Sequence, residues 1–419
     1  MIFSHVKGIK TCNIINTTMS FSKYEHRGLS GLANLGNSCY LNSCMQVLSH
    51  TYELNEFLTQ DGGNFKQLLK KQPESLIILE WDKLREMLWS DNGAVAPHRF
   101  IHTIRHVAHL KQRDLFTGYD QNDLQEFLLF IIDCFHTSLS NEVDMHIIGE
   151  CKTDVDELAL TAYKMMKYMY TKDYSDMIKM FYGIHVSQIK SRDSSKALLS
   201  MSAEPFSVIS LSIAGHAGSA TSAGPSTSAA PSTSAGSATL AAPSTSAGSP
   251  STLAGSPSTS AAPSTSAAPS TSAAPSLFDC FDLYCGAEVL EGENAWFNDK
   301  TGKKQTVERN IIFWSLPNIM IIDLKRSKLN NKKLHTLVDI PINNVDFSRY
   351  VKGYNAESYV YDLYGVCNHS GGGGAGGHYT AYIKNANGKW YNFNDTLVRE
   401  ISEDKIISAM SYCLFYRKK

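Results

Sequence analysis

The spacing of hydrophobic residues divides the chain into a helical part and a strand-rich part. Six apolar side chains in residues 121–136 follow one another at i, i+3, i+4, i+7, i+8 and i+11, on one face of a helix: Leu124, Phe127, Leu128, Ile131, Ile132 and Phe135. Residues 154–180 have the same character, and most of 28–200 is predicted to be helical. Residues 204–213 are the first run that is typical of a strand.

Strand-like runs dominate the last third of the chain. The predicted strands cover residues 310–324, 359–367, 378–384, 389–394 and 412–417. Asn387-Gly388, a pair typical of tight turns, lies between two of them and predicts a hairpin. Helices followed by strands indicate an α+β protein.

A low-complexity stretch separates the two parts. From Ala214 to Ser276 the chain consists almost entirely of Ala, Ser, Thr, Pro and Gly, and it contains no Asp, Glu, Lys or Arg. Such a composition cannot bury enough apolar surface to offset the entropy of an ordered chain, so we predict disorder with a bias toward extended conformations. Its first interpretation is a flexible linker between two domains.

Charge and cysteine usage narrow the class of protein. Lys and Arg number 39 and Asp and Glu 40, and this net charge of −1 argues against binding nucleic acid through bulk electrostatics. No apolar run reaches the roughly 18 residues of a membrane span, and we recognise no signal peptide. The 9 cysteines form no CxxC pair, which favours a reducing compartment, the cytoplasm or the nucleus. Residues 1–27 carry no motif and are expected to be a flexible extension.

Residues 31–50 contain the first candidate for chemistry. Gly36, Asn37 and Ser38 form a turn-like stretch, and apolar residues with helical spacing follow it. This pattern places Cys39 at the N-terminus of a helix, where unpaired backbone amides and the helix dipole stabilise a thiolate. The alternative is a buried structural cysteine, the more common fate of a lone cysteine, and Cys44 fits that alternative better.

A thiolate nucleophile needs a base, which must come from elsewhere in the chain. His50 would lie about three helical turns from Cys39, out of reach. His378 follows a run of glycines and opens a predicted strand. Asn394 and Asp395 end the next strand, and either could orient the imidazole. A loop histidine, a flexible glycine turn and an Asn-Asp turn are each ordinary, but their combination with Cys39 favours a catalytic site.

Three segments resemble motifs of the ubiquitin-specific proteases, a family of cysteine-dependent deubiquitinases. Residues 31–43, Gly-Leu-Ala-Asn-Leu-Gly-Asn-Ser-Cys-Tyr-Leu-Asn-Ser, are similar to the family's Cys box, with Ser38 where Thr is usual. Residues 119–128 resemble its Gln/Asp/Glu-Phe-Leu helix, and residues 377–382 together with 390–395 resemble its His box. The Cys and His boxes together make the resemblance specific.

This resemblance implies a fold and a domain organisation. The implied fold is the papain-like α+β fold of the ubiquitin-specific proteases, with a helical thumb and a β-rich palm and fingers. Because the Cys box precedes the low-complexity stretch and the His box follows it, both sides belong to one catalytic domain, residues 28–418. Residues 214–276 then become a disordered insertion at the fingers rather than a linker.

The resemblance also implies roles for individual residues. Cys39 is the nucleophile, and His378 is the general base and then the general acid. Asn394 orients the imidazole, with Asp395 sharing or replacing it, and Asn34 donates its side-chain amide to the oxyanion with the Cys39 N–H. The implied substrate-binding residues border the basic, Gly-Gly-ending tail of ubiquitin: Gln121, Asp123, Glu126, Gly377 and Tyr379. For Asp123 and Glu126 the ordinary alternative is a solvated helix face.

The sequence departs from the family at a structural zinc site. Two CxxC pairs that family members often carry in the fingers correspond here to Ser191 and Ser194 and to Asn298 and Thr301. Hydroxyl and amide groups are poor zinc ligands, so we expect no cofactor and fingers held by hydrogen bonds and apolar packing alone.

The implied function is deubiquitination, the thiol-dependent hydrolysis of isopeptide or peptide bonds at the C-terminal glycine of ubiquitin. The expected partners are ubiquitin and ubiquitinated proteins, with no nucleic acid or membrane, and the chain is expected to be a monomer. Because the zinc-ligand positions of the fingers are altered, a ubiquitin-like modifier remains an alternative substrate. Two non-catalytic functions also stay open: a ubiquitin-binding module with weak or no activity, and an interaction protein whose role lies in the low-complexity stretch.

Overall fold

The computed structural model describes residues 2–7, 20–215, 274–327, 333–355, 358–371 and 376–419. Described residues on both sides of the low-complexity stretch belong to one compact unit. Most of the stretch itself lies outside the described residues, so its disorder stays a prediction.

Most helices of the described part pack around one large hydrophobic core. The helices are α1 (Cys39–Ser49), α2 (Tyr52–Thr59), α3 (Phe65–Leu68), α4 (Ser75–Ser90), α5 (His98–Leu110), α6 (Leu124–Leu139), α7 (Asp154–Lys172), α8 (Asp176–Phe181) and α9 (Leu277–Cys285). The side chains of α1 are buried along its whole length, which fixes its N-terminus firmly in the domain. No helix within the described ranges has the length and apolar character that crossing a membrane requires.

Two predicted helices are present with changed boundaries. The predicted helix 121–136 begins at Leu124, because the Asp123 carboxylate caps it by accepting hydrogen bonds from the amides of Gln125 and Glu126. The stretch 154–180 is two helices, α7 and α8, separated by residues 173–175, of which Ser175 is extended. The helical prediction for 28–200 omitted the strands that this region also contains.

The strands are numbered in chain order. They are β1 (Ile2–Lys7), β2 (Gly31–Leu32), β3 (Ala94–Val95), β4 (Asp144–Gly149), β5 (Gly183–Ser191), β6 (Leu198–Phe206), β7 (Val208–Ser212), β8 (Glu288–Leu290), β9 (Trp296–Asn298), β10 (Lys303–Gln305), β11 (Val307–Ser315), β12 (Ile319–Lys325), β13 (Val345–Asp346), β14 (Val360–Ser370), β15 (His378–Lys384), β16 (Trp390–Asn394), β17 (Leu397–Ile401) and β18 (Ser411–Lys418). Most predicted strands after residue 300 are confirmed, including the β15–β16 hairpin, but the stretch 310–324 is divided between β11 and β12, which end and begin on either side of Pro317 and belong to different sheets.

The larger sheet carries the second half of the candidate site. Its strands run in the order β17-β16-β15-β14-β18-β12-β7, with β13 on β14. Helix α1 packs against β14, β15 and β16, and Asn42 in its first turn donates a hydrogen bond to Asp395, which directly follows β16. A second sheet has the order β6-β5-β11-β8, and β9 and β10 form a separate hairpin. Helices and sheets in one unit confirm the α+β class.

Described residues near the start of the chain make contacts that the sequence does not indicate. β1 pairs with β4 in an antiparallel register. Tyr24 is buried and stacks on Tyr52 with ring centroids 4.4 Å apart, while Trp89 meets Tyr24 edge-on. This aromatic cluster anchors residues 20–27 against α2 and α4, which a motif search does not detect.

The low-complexity stretch leaves and rejoins one hydrophobic cluster. Leu211 and Ile213 on the side of β7 and Leu277 and Phe281 of α9 belong to the same core. Helix α9 begins with a capping box, in which the Ser276 hydroxyl accepts from the amide of Asp279 and the Asp279 carboxylate accepts in return. The two ends are therefore fixed on the same part of the domain.

Candidate active site

Cys39 is the first residue of α1, as the sequence predicts, and its side chain is buried. The loop before it is organised by Asn34, whose Oδ1 accepts hydrogen bonds from the amides of Gly36 at 3.2 Å and Ser38 at 3.1 Å. Amides of a first helical turn have no partner within the helix. Cys39 therefore lies at the end of α1 whose backbone amides have no partner within the helix.

Gln121 bridges Cys39 and the backbone of Gly377, directly before β15. Its Nε2 lies 3.8 Å from the Cys39 sulfur and also donates to the carbonyl oxygen of Gly377. Gly377 directly precedes His378, so one amide group ties the loop before α6 to both halves of the candidate site. The sequence placed Gln121 near the substrate tail, and the structure places it between the nucleophile and the histidine strand.

His378 is held by Asn394. The His378 Nε2 and the Asn394 Oδ1 are 2.7 Å apart, across the β15–β16 hairpin. An amide oxygen only accepts hydrogen bonds, so Nε2 carries the proton and Nδ1 is left as the basic nitrogen. Of the two residues that the sequence left open, Asn394 is the one in contact with the imidazole.

Asp395 contacts the cysteine side of the site instead. Its Oδ2 accepts a hydrogen bond from Asn34 Nδ2 at 3.0 Å, and its Oδ1 accepts one from Asn42 Nδ2 at 2.8 Å. Its backbone carbonyl accepts from the amide of Leu32 at 2.9 Å. Asp395 thus fixes both the loop before Cys39 and the first turn of α1. The side-chain amide of Asn34 was expected to face the oxyanion, and it donates one of its two hydrogens to Asp395.

The backbone at Gly377 has no room for a side chain. A Cβ atom there would lie 2.2 Å from Nε2 of His369 and 2.7 Å from the carbonyl oxygen of Ser370. His369 is fixed by stacking on Tyr379, with ring centroids 4.3 Å apart. Burial and the nearby Lys333 lower the pKa of His369 to about 4, so this ring is neutral at physiological pH.

The predicted substrate-binding carboxylates differ in their surroundings. Asp123 is already engaged, because its Oδ2 accepts hydrogen bonds from the hydroxyls of Tyr412 at 2.6 Å and Tyr379 at 3.4 Å while its Oδ1 caps α6. Glu126 lies one turn further on and is exposed. Partial burial and the nearby Asp123 raise the pKa of Glu126. Tyr379 is buried and contacts Asp123 rather than solvent.

A third carboxyl group lies beneath this pair. Asp323 of β12 is 3% exposed, and its Oδ1 has no hydrogen-bond partner among the described residues. Burial, and secondarily the nearby Asp123, raise the pKa of Asp323 to about 7. The carboxyl group is therefore largely protonated in mildly acidic solution.

Cys44, in the same helix, is a cysteine of the hydrophobic core. It is fully buried, and burial raises the pKa of its thiol well above the ordinary value. A thiol that is costly to ionise is a poor nucleophile. The predicted division between Cys39 at the helix terminus and Cys44 in the core matches the structure.

The four positions that correspond to the family's zinc ligands do not fit zinc. The Ser191 hydroxyl donates to Asp193 at 2.8 Å, and the Asn298 amide donates to Gln305 at 3.2 Å. The Thr301 hydroxyl faces the carbonyl of Asn298 at 3.4 Å, and Ser194 is exposed. Side-chain and backbone hydrogen bonds organise both turns where thiolates would bind a metal. Within the described ranges, no group of three or more His, Cys, Asp or Glu residues is arranged to hold a metal ion.

Sequence reasoning missed three residues of this site. Asn42 lies within the Cys-box segment, so its position four residues after Ser38 was a usable signal. Tyr412 and Asp323 lie on strands β18 and β12, and their proximity to Asp123 depends on strand order, which no local pattern reveals.

The family named Ubiquitin carboxyl-terminal hydrolase matches residues 30–416 of the chain. The chain belongs to this family. The match covers both boxes and both sides of the low-complexity stretch, so the resemblance drawn from the motifs is confirmed.

Curated relatives in the family match over different lengths. The Drosophila melanogaster hydrolase Usp2 is 27% identical over 96% of this chain and 36% of its own length. Human ubiquitin carboxyl-terminal hydrolase 2 is 28% identical over 93% of this chain and 55% of its own length. Human ubiquitin carboxyl-terminal hydrolase 15 is 42% identical, but over 34% of this chain. The chain spans about a third to just over half of the relatives that match it nearly end to end.

Solved structures confirm the fold. A SAGA deubiquitinating (DUB) module of Ubp8, Sgf11, Sus1 and Sgf73 bound to monoubiquitin matches 97% of this chain and 72% of the compared chain, with a TM-score of 0.61 at 20% identity. The same module bound to ubiquitin aldehyde gives a TM-score of 0.61 at 21% identity, with 96% and 72% covered. At these identities the likeness concerns the fold alone.

Proposed function

We propose that the chain is a cysteine-type deubiquitinase that hydrolyses isopeptide or peptide bonds at the C-terminal glycine of ubiquitin. The observation that carries the proposal is the linkage of Cys39, at the start of α1, through Gln121 to Gly377 and the adjoining His378, which Asn394 holds. Family membership supports the same chemistry.

His378 supplies the base in this proposal. With its Nε2 proton donated to Asn394, the Nδ1 atom accepts the proton of the Cys39 thiol. The thiolate attacks the carbonyl carbon of the terminal glycine, and the His378 imidazolium returns the proton to the leaving lysine amine. Water then hydrolyses the thioester, with His378 again acting as the base, and free ubiquitin leaves.

Backbone and amide donors stabilise the oxyanion. The Cys39 N–H lies in the first helical turn, and Asn34 keeps a second amide hydrogen beside the one given to Asp395. Because Asp395 and the amides of Gly36 and Ser38 hold both ends of the Asn34 amide, this donor is set before substrate arrives. Such preorganisation is the usual source of oxyanion stabilisation.

The tail of the substrate meets an acidic surface beside Gly377. Gly377 itself admits no side chain, because a Cβ there would collide with His369, so the backbone next to His378 stays bare. Exposed Glu126 offers a carboxylate to the basic residues of the tail, and we assign Asp123 the task of fixing the α6 terminus and Tyr379 beneath it. Ubiquitin and ubiquitinated proteins are the partners that this surface fits.

An electrophilic ubiquitin probe tests the proposal. Ubiquitin carrying a propargylamide at its C-terminus should form one covalent adduct with the wild-type protein, and peptide mapping should place it on Cys39. Cys39→Ala should abolish the adduct. Cys151→Ser, which removes an exposed thiol outside the site, should keep it. A folded wild-type sample that forms no adduct, or one mapped to another cysteine, contradicts the proposal.

Three further properties belong to the proposal. The fingers hold together without zinc, because Ser191, Asn298 and Thr301 make hydrogen bonds within their own turns and strands. The chain acts as a monomer, although the solved neighbours are multi-subunit assemblies, and light scattering decides between these states. The protein works in the cytoplasm or the nucleus, where its thiols stay reduced.

A further inference from the structure

Helix α5 presents a polar face made only of basic side chains and one threonine. His98, Arg99, His102 and Arg105 follow at i, i+1, i+4 and i+7, and the helix contains no acidic residue. The opposite face is buried through Phe100, Ile101, Ile104, Val107 and Ala108. Packing therefore accounts for the apolar face and leaves the basic face open to solvent.

This basic face forms one wall of a groove. Leu35, Tyr119 and Glu80 line the groove together with Thr103 and the four basic residues. We call this site the α5 groove. Tyr119 is 66% exposed although it is a large aromatic residue, which is typical of a surface that meets a partner.

The charge in the α5 groove is positive on balance. Glu80 is the one carboxylate among its lining residues, and it is shared between Lys83 at 2.7 Å and Arg99 at 3.1 Å. The side chain of Arg99 remains 78% exposed. The guanidinium of Arg105 has no carboxylate partner among the described residues, so one of the two arginines of the groove is not neutralised by a carboxylate.

Arg105 is held ready for a ligand. Its guanidinium lies 3.8 Å from the centroid of the Tyr119 ring, and its Nε donates to the carbonyl of Gly118 at 3.0 Å. The structure shows no other hydrogen bond from this side chain among the described residues, which leaves its Nη groups as donors in a fixed orientation. A fixed guanidinium loses little entropy when it pairs with a carboxylate.

The α5 groove adjoins the loop that carries the nucleophile. Leu35 lies four residues before Cys39 and lines the groove, and Asn37 Nδ2 donates to the carbonyl of Tyr119 at 3.0 Å. Two residues after Tyr119, Gln121 contacts the Cys39 sulfur. A substrate that reacts at Cys39 therefore passes close to the groove.

The tail of ubiquitin is not the part of the substrate that fits there. That tail is basic, and cations in the α5 groove would repel it, whereas Glu126 and the other carboxylates of the tail channel do not line the groove. The remaining part of a conjugate is the protein to which ubiquitin is attached.

We propose that the α5 groove binds an acidic segment of the conjugated protein, next to the modified lysine, and so selects which conjugates are cleaved. This inference rests on the proposed deubiquitinase function. An acidic peptide supplies a carboxylate to Arg105, which has none among the described residues, and competes for the exposed Arg99 with Glu80, which Arg99 shares with Lys83. Nucleic acid is the less favoured occupant, because the basic surface is limited to one helix of a protein with a net charge of −1.

Defined isopeptide substrates test the proposal. Ubiquitin is joined to the lysine of a synthetic peptide flanked either by Asp and Glu or by Asn and Gln in the same order, and kcat/KM is measured for both. The wild-type protein should cleave the acidic-flanked substrate about five- to tenfold more efficiently, as expected for two or three partly screened ion pairs. The preference should weaken as salt is raised.

Variants locate the effect. Arg99→Glu together with His102→Glu should bring the ratio of the two kcat/KM values to one or below, and the milder Arg99→Gln should lower it part-way. His109→Glu places a negative charge at an exposed position of the same helix outside the groove lining and should preserve the ratio. Each variant is judged by the ratio of its kcat/KM values for the two substrates. A variant that loses activity on both substrates equally therefore keeps its ratio and is not mistaken for one that loses the preference.

The outcomes separate this inference from the function on which it rests. A wild-type protein that cleaves ubiquitin from a small fluorogenic amine but treats both peptides alike overturns the inference alone. A protein that cleaves none of these substrates overturns the proposed function. Strong inhibition by a single-stranded oligonucleotide, lost in Arg99→Glu/His102→Glu, without a peptide preference would assign the groove to nucleic acid and also overturn the inference.

Discussion

Asp395 accepts a hydrogen bond from Asn42 over 2.8 Å, although 353 residues separate the two in the chain. The same carboxylate holds Asn34 at 3.0 Å, and its own backbone adopts a positive φ of 50° at the β16–β17 turn. A strained turn held by three contacts with the cysteine side indicates that Asp395 serves the nucleophile loop, while its neighbour Asn394 serves the histidine.

Replacing Asp395 should impair catalysis through Asn34. In Asp395→Ala the Asn34 amide loses the acceptor that fixes it, so kcat should fall by about 10- to 100-fold, somewhat less than for the loss of an oxyanion donor itself. KM should change little, because tail-binding residues are untouched. Steady-state kinetics with a fluorogenic ubiquitin substrate measure both constants.

Two comparisons sharpen that test. Asp395→Asn keeps one acceptor oxygen and should retain an intermediate kcat. Asn394→Ala should instead alter the pH profile of kcat/KM, because it frees the His378 ring. A kcat of Asp395→Ala within twofold of the wild-type value would rule out a positioning role.

A methyl group at residue 377 should block the site. In Gly377→Ala the new Cβ would meet His369 at 2.2 Å, so the strand must shift and carry the carbonyl bound by Gln121 with it. We expect a loss of at least about tenfold in kcat/KM, since small displacements of reacting groups are costly. Gly376→Ala is the matched control, because its Cβ has nothing within 4 Å, and it should be nearly neutral.

Asp323 should make stability depend on pH. Its pKa is raised by burial to about 7 in the folded protein from the ordinary 3.8, so the folded state holds the proton more tightly than the unfolded state. The contribution of Asp323 to the free energy of unfolding is fully present below about pH 4 and is lost as the pH rises through 7. The total loss is on the order of 4 kcal/mol.

Urea unfolding at several pH values checks this sign. The free energy of unfolding of Asp323→Asn minus that of the wild type should increase between pH 5 and pH 8. The wild-type protein loses stability over this range, whereas the amide of the variant stays neutral throughout. A difference between the two proteins that is constant over this range would show that Asp323 is ionised in both states or in neither.

Chelators should leave the fingers intact. Since Ser191 and Asn298 make hydrogen bonds where thiolates would bind zinc, incubation with EDTA and refolding in its presence should not change Tm or the hydrolysis rate. Elemental analysis of the purified protein should find only substoichiometric zinc that washing removes. A Tm that drops on chelation and recovers with zinc would contradict this prediction.

Removing the low-complexity stretch should preserve the fold and the activity. Joining residue 215 to residue 274 through a short Gly-Ser linker shortens a loop whose ends both rest on the cluster of Leu211, Ile213, Leu277 and Phe281. Loop-closure entropy changes slowly with length, so Tm should be equal or slightly higher. Calorimetry and the fluorogenic assay measure this, and loss of hydrolysis in a folded protein would give the stretch a catalytic role.

The sequence was most informative where a local pattern was enough. The spacing from Leu124 to Phe135 predicted α6, and Asn387-Gly388 predicted the β15–β16 hairpin. The hairpin in turn predicted that Asn394 or Asp395 would approach His378. Which of them does so depends on side-chain direction at a turn with positive φ, and that is set by contacts with Asn34 and Asn42.

Features that depend on distant strands were out of reach. The burial of Asp323 beneath Asp123 follows from the position of β12 between β18 and β7. β5 was missed because the helical character of the preceding residues outweighed its strand pattern. Helix α9 carried a readable signal, the Ser276 and Asp279 capping box, but it directly adjoins the low-complexity stretch.

The shared anchoring of β7 and α9 has a consequence for how this gene can vary. The low-complexity stretch repeats short units such as Ala-Ala-Pro-Ser-Thr-Ser-Ala, and tandem copies of this kind expand and contract by slippage during DNA replication. Here both attachment points lie on one cluster, and doubling the tract length costs only ~0.6 kcal/mol. Populations are therefore expected to carry alleles with different repeat numbers and the same catalytic domain.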